Sequence, residues 1–260
     1  MAQLSYSIEH QPGYAGDLAD SDLSHRISAV RNNMVVDMPF GLGLVSDYAA
    51  AASATPAVGP LDNNSQAVKL PDSSTAVMLG VGVRSLARAP GLDGFDVNGR
   101  RPGGMLDMAT HGAVYVGAEA AMVVTDAIYM RFGAGSAANG QAGSFRPDSD
   151  VVPAWQIDHA YSLGARVAND SGKVYQCTTA GTSAHSGGPT GTGSGIVDNT
   201  AVWAYQGIRD SSTRATAILV TNVKVKKGSV DCTVLAPASG LDAFGDTLPA
   251  YLAVLELNKP

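Results

Sequence analysis

Glycine punctuates nearly every apolar run of this chain, and that punctuation limits what it can fold into. The runs MVVDMPFGLGLV from Met34 to Val45, AVMLGVGVRS from Ala76 to Ser85 and GMLDMATHGAVYVG from Gly104 to Gly117 are short and turn-bounded. They suit strands rather than long amphipathic helices. Thirty glycines and 13 prolines among 260 residues, set against few Lys and Glu, point the same way. With 45% hydrophobic residues the chain is able to bury a real core, in one large domain or two modest ones. The expected fold class is therefore mainly β, with Gly80 and Gly82 placed where a strand bulges or curves, as in a small barrel. One short helix is expected over Ser21–Arg31, capped by Asp20 or Ser21. Met34–Val45 reads equally as a bending core strand or as an arm laid on another surface.

Composition changes along the chain. A glycine- and serine-rich stretch from Phe132 to Asp150 reads as a loop or linker. Pro153–Gly207 then holds both tryptophans and three of the nine tyrosines, which marks residues 152–207 as an inserted β module. Alternating strands return in Thr213–Ala236 and Tyr251–Asn258, so the first domain is expected to resume there. The expected organisation is one discontinuous β-barrel or sandwich-like domain, residues 1–151 and 208–260, interrupted by the module. No solenoid or propeller repeat is present.

Several function classes find no support. Net charge is −6, and the densest basic run is Lys224, Lys226 and Lys227, so no clamp for a phosphate backbone is expected. No apolar stretch approaches a membrane span and the amino terminus lacks signal-peptide character, so a cytosolic product is expected. Cys177 and Cys232 have no metal-site spacing and read as small buried hydrophobes. The histidines His10, His25, His111, His159 and His185 are scattered, with no metalloprotease, hydrolase or phosphate-loop motif among them. Asp93, Asp96 and Asn98 lack the spacing of a calcium loop, and Gly191–Gly195 reads as a flexible hairpin loop. No enzyme, cofactor or metal site is expected.

Two resemblances carry the functional expectation. GYAGDLADS from Gly13 to Ser21, HRISAVRNN from His25 to Asn33, the segment Pro39–Val45, the block Val68–Ser85 and LAVLELN from Leu252 to Asn258 resemble, in that order, the structural cement proteins of phage capsids. The resemblance implies a decoration subunit on the outer surface of the head, made in the host cytoplasm and carrying an extended N-terminal arm. Its implied partners are the major capsid protein and further copies of itself, in a homotrimer. The insertion resembles small chitin-type carbohydrate-binding modules through Trp155, Tyr161, Gly164–Val167, Val174–Cys177, Pro189, Trp203 and Tyr205. It implies weak binding of cell-surface polysaccharide by Trp155, Tyr161, Tyr175, Trp203 and Tyr205, because sugar C–H faces pack on aromatic rings. The same five rings are also what a module of this size would use as its core. An alternative places the chain on a phage tail or baseplate as an adhesin for host polysaccharide.

Overall fold

The computed structural model describes residues 16–19, 26–34, 38–47, 66–84, 99–100, 104–133, 141–231 and 251–257. Within them the first strands are β1 (Arg26–Asn32), β2 (Met38–Pro39), β3 (Gly43–Ser46), β4 (Gln66–Lys69), β5 (Met78–Val83), β6 (Gly99–Arg100), β7 (Met105–Ala118), β8 (Tyr129–Arg131) and β9 (Phe145–Arg146). The module contributes β10 (Ala160–Tyr161), β11 (Arg166–Asn169), β12 (Lys173–Thr179), β13 (Gly181–Thr182), β14 (Ser194–Asp198) and β15 (Ala201–Ile208). The last strands are β16 (Ala217–Leu219), β17 (Val223–Asp231) and β18 (Tyr251–Leu257). No helix occurs among the described residues.

Five strands close on themselves. The order β1-β4-β3-β5-β7 is completed by β7 pairing back to β1. All these pairings are antiparallel except β1–β4. Val30, Leu44, Val68, Leu106 and Met108 from four of these strands, with Met38, form one apolar cluster. Closure removes the free edges that a short sheet of glycine-rich strands would otherwise expose.

Gly80 explains part of the curvature. A Cβ at this position would lie 2.3 Å from the Ala109 carbonyl oxygen, so the close β5–β7 approach requires a residue without a side chain. Gly112 marks the other bend. At φ 102° it takes a conformation that side chains resist, midway along the 14-residue β7. Before it β7 pairs with β1 and β5; from it onward β7 pairs with β18. One long strand thus serves both the barrel and an outer layer of β17, β18, β8, β9 and β16. Between them lies the larger core cluster, built around Val81, Val114, Val116, Met130, Phe145 and Leu255.

Two expectations give way. The helix expected over Ser21–Arg31 is not formed over its described part: Arg26–Asn32 is β1. An isolated helix of eleven residues is marginal, whereas β1 gains two hydrogen-bonded neighbours and closes the barrel. The loop expected from Phe132 to Asp150 is in part core. Phe145 is fully buried in β9, which bridges β7 and β8. Met34–Val45 proves to be a core segment over its described residues, with Met38, Phe40, Leu42, Leu44 and Val45 buried. The expected N-terminal arm falls in part on residues outside the described ones, and so do Cys232 and the candidate calcium loop of Asp93, Asp96 and Asn98.

The module's strands form their own sheet, β11-β12-β15-β14, with the small pair β10–β13 beside it. Its entry and exit are neighbours. The Val152 amide donates to the Arg214 carbonyl at 3.0 Å, and the Thr216 amide to that of Ser149 at 3.1 Å. β8 pairs with β16 across the insertion, Tyr129 opposite Leu219.

Candidate functional site: a buried ion network and an aromatic module

At the module's base, the end of β7, β8, β9, the residues leading into the insertion and β11 bring six charged groups together. Arg131 is completely buried, and its Nε and Nη2 donate to the two carboxylate oxygens of Glu119. Its Nη1 lies 3.0 Å from Asp150 Oδ2 and 2.7 Å from the Thr216 hydroxyl. Arg146 Nη1 reaches Glu119 at 2.9 Å, while its Nη2 holds Asp148 at 2.8 Å. Arg166, from β11 of the module, approaches Asp150 at 3.5 Å. Ser144 donates to Glu119 at 2.8 Å. Three guanidiniums therefore face three carboxylates, and two hydroxyls join them: Thr216 accepts from Arg131 and donates to Asp150, and Ser144 donates to Glu119.

The electrostatics follow from this arrangement. Burial alone would raise the pKa of Asp150; the Thr216 hydroxyl and the charges of Arg146, Arg131 and Arg166 more than offset that and hold it below the usual carboxylate range. Burial works against the Arg131 guanidinium too, yet the Glu119 and Asp150 carboxylates raise its pKa further. Sequence reasoning missed this network. The available signal was a lone arginine inside the apolar run Ile128–Phe132, where an unpaired charge would be prohibitive.

The five predicted aromatics separate by burial. Trp203 and Tyr175 are 0% exposed, so neither ring offers a face to a ligand. With Val167, Cys177 and Ala201 they are the module's core. Asp198, itself buried, accepts from both indoles, from Trp155 Nε1 at 2.8 Å and Trp203 Nε1 at 3.1 Å, which fixes one tryptophan relative to the other. Tyr161 meets Trp203 edge to face at 4.9 Å, and its hydroxyl accepts from the Gln156 amide. Tyr205 stands edge-on to Tyr175 at 6.2 Å. Trp155, Tyr161 and Tyr205 are half-buried. Gly188 packs on the Trp155 indole, where a Cβ would approach Cδ2 to 2.8 Å.

The glycine-rich loop is anchored at its start rather than free. Tyr175 donates its hydroxyl to the Gly191 carbonyl at 2.9 Å, and the Gly191 amide donates to Asp170 at 3.1 Å. Burial, then the neighbouring Asp170 carboxylate, pushes the Tyr175 hydroxyl up to about 12. Asn169 Nδ2 holds the carbonyls of Gly187 and Pro189. His185 and Asp158 form an exposed ion pair at 2.5 Å, which raises the histidine's pKa. Among the described residues no group of three or more His, Cys, Asp or Glu is placed to hold a metal.

These features describe a β-barrel scaffold with a small aromatic-cored module clamped to it, the charges at the junction engaged with one another. Over residues 2–241, well beyond half of its length, the sequence matches the phage family described as structural cement protein (E217 gp24/Pam3 gp6), and the chain belongs to that family. It is thus a capsid-stabilising structural protein and a component of the virion capsid, from a family that is in general non-enzymatic. No curated protein matches the chain significantly.

Proposed function

We propose that the protein sits on the outer surface of the phage head, bound to the major capsid protein, with residues 152–207 forming a module that faces outward. Residues 1–151 and 208–260 act in this reading as one discontinuous domain. The pairing of β8 with β16 on either side of the insertion supports it, since it lets the module be added without breaking the outer layer of the sheet. Weak lateral contacts repeated over a symmetric shell, including self-association as a trimer, supply strength by multivalency. Electron cryo-microscopy of intact particles tests this. Regular copies at threefold or quasi-threefold positions are expected; density on the tail alone would favour the adhesin reading.

A second reading, weak glycan contact by the module, is favoured by the partial exposure of Trp155, Tyr161 and Tyr205. Its ligand face is restricted to those three rings. Binding of whole particles to a glycan array, compared with particles whose protein lacks the module, tests it; identical profiles would remove glycan recognition from the module.

A further inference from the structure

The barrel's one parallel pair is a short seam. β1 and β4 share three registered residues, the last being Asn32 opposite Val68. One position further on, Asn33 stands beside Lys69, because the Asn33 amide donates to the Val68 carbonyl at 3.0 Å and carries the register past the strand end. The Leu70 amide, bonded to the Met34 sulfur at 3.4 Å, keeps the two chains together there. Strands of a sheet run about 4.8 Å apart, so side chains in register on one face are within reach of each other. On the other side of β4 lies β3, with Val45 opposite Lys69 and the Asp47 amide donating to the Ala67 carbonyl at 3.0 Å.

Asn33 and Asp47 meet across β4, past the small Ala67: Asn33 Nδ2 donates to Asp47 Oδ2 at 2.7 Å. Lys69 Nζ lies 4.0 Å from the other oxygen, Asp47 Oδ1. One carboxylate thus touches a carboxamide and faces a primary amine, on three adjacent strands. Asn33 is only 7% exposed and the Asp47 side chain 13%, so water is largely kept from the carboxamide. Asn33 Oδ1 has no hydrogen-bond partner, and rotating the carboxamide presents it to Asp47 once that group carries a proton.

We propose that Lys69 and Asn33 become joined by an isopeptide bond, with Asp47 relaying the protons. Asp47 takes one proton from the Lys69 ammonium, and the freed lone pair of Nζ forms a bond to Asn33 Cγ. The protonated Asp47 stabilises the negative charge that gathers on Oδ1. Two protons pass in turn from Nζ through Asp47 to Nδ2, the Cγ–Nδ2 bond breaks and ammonium leaves. Asp47 ends as the carboxylate it began as, and no oxidant or cofactor takes part. Fixed proximity of amine and amide supplies the rate that free side chains lack. Asp72 competes for Lys69 at 2.6 Å, but it is exposed and such pairs are weak. The bond would staple the seam that closes the barrel, and it would constrain the unfolded chain between residues 33 and 69.

Intact-mass spectrometry of the folded full chain tests this, with tryptic mapping and thermal melting alongside. The chain is expected to be lighter by one ammonia than its residues sum to, and to yield one branched peptide holding both Asn33 and Lys69. Lys69→Arg keeps a cation beside Asp72 but lacks the primary amine; it is expected at its full mass and with a lower melting temperature. Asp47→Ala, with amine and amide both present, is expected at full mass too. Asp72→Ala, at an exposed position, is expected to keep the mass loss. A folded wild type that stays at full mass after long incubation would overturn the bond. A mass loss that persists in Lys69→Arg would also overturn it and assign the ammonia to asparagine cyclisation elsewhere. A branched peptide still formed by Asp47→Ala would overturn the relay.

Discussion

Arg131 has no solvent to fall back on, and neither does the carboxylate of Glu119 that it grips. Removing the guanidinium in Arg131→Met leaves Glu119 with Arg146 as its remaining cation and Ser144 as a hydroxyl donor, and Asp150 loses its closest cation as well. Breaking a buried pair from one side costs about 3–5 kcal/mol, a large share of a domain's stability of about 5–15 kcal/mol. Urea unfolding is expected to show a loss of that order for Arg131→Met. Arg166→Met, at the longest contact of the network, is expected to lose much less. Equal losses would mean that the network acts as one unit and not through its shortest bonds. Acid acts on the same group. Because Asp150 is held below its ordinary pKa, the folded state gives up this proton at lower pH than the unfolded chain. The stabilisation is complete above the unfolded value of about 3.9 and is lost as pH falls through the folded one. Melting temperature is expected to fall below about pH 4, and Asp150→Asn should flatten this part of the fall while lowering stability at pH 7. A mutant profile parallel to the wild type would assign the acid sensitivity elsewhere. Little of this was legible in the sequence, because Glu119, Arg131, Arg146, Asp150 and Arg166 are spread over 48 positions and only the folded sheet brings them together. The aromatics were legible as a group, but nothing in their spacing says that Asp198 ties two indoles together and leaves Trp203 without an exposed face.

At the scale of strands, the glycine pattern was the most informative signal. Gly80 was expected to curve β5, and the reason is the Ala109 carbonyl on the neighbouring strand. Gly80→Val should therefore destabilise the barrel by several kcal/mol, because the clash is with backbone and no rotamer relieves it. Gly82→Ala, where the nearest atom to the added Cβ is a Leu106 side-chain carbon at 3.4 Å, should be close to neutral. Paired melting curves of the two variants check this, and a neutral Gly80→Val would place the β5–β7 contact further apart than the structure has it. The strand β1 shows where local reading fails. Ile27 and Ala29 face solvent while Val30 enters the core, so its seven residues carry too little alternation to announce a strand. Pairing on both edges decided its conformation, and neither partner is near it in sequence.

For the whole molecule, the question is how far barrel and module depend on each other. Among the described residues, the apolar cluster where the insertion begins is small: Val152 packs with Ala168 and Val174 of the module's sheet. At about 1.5–3 kcal/mol for a fully buried aliphatic side chain, that cluster is a minor term beside the barrel's own clusters. The chain ends left by excision would already be in contact, through the 3.0 Å hydrogen bond between Val152 and Arg214. Replacing residues 153–213 with a short glycine turn is therefore expected to leave a folded β protein. It should unfold cooperatively and melt a few degrees below the full chain, having lost Arg166 from the ion network and the cover over Val152. Particles carrying the shortened protein are expected to resist heat as well as wild type if the barrel alone braces the shell. Aggregation of the shortened chain would show instead that the module is part of the barrel's folding unit. A folded shortened chain that no longer protects particles would move the stabilising contact onto the module itself, and the barrel would become the mount that presents it.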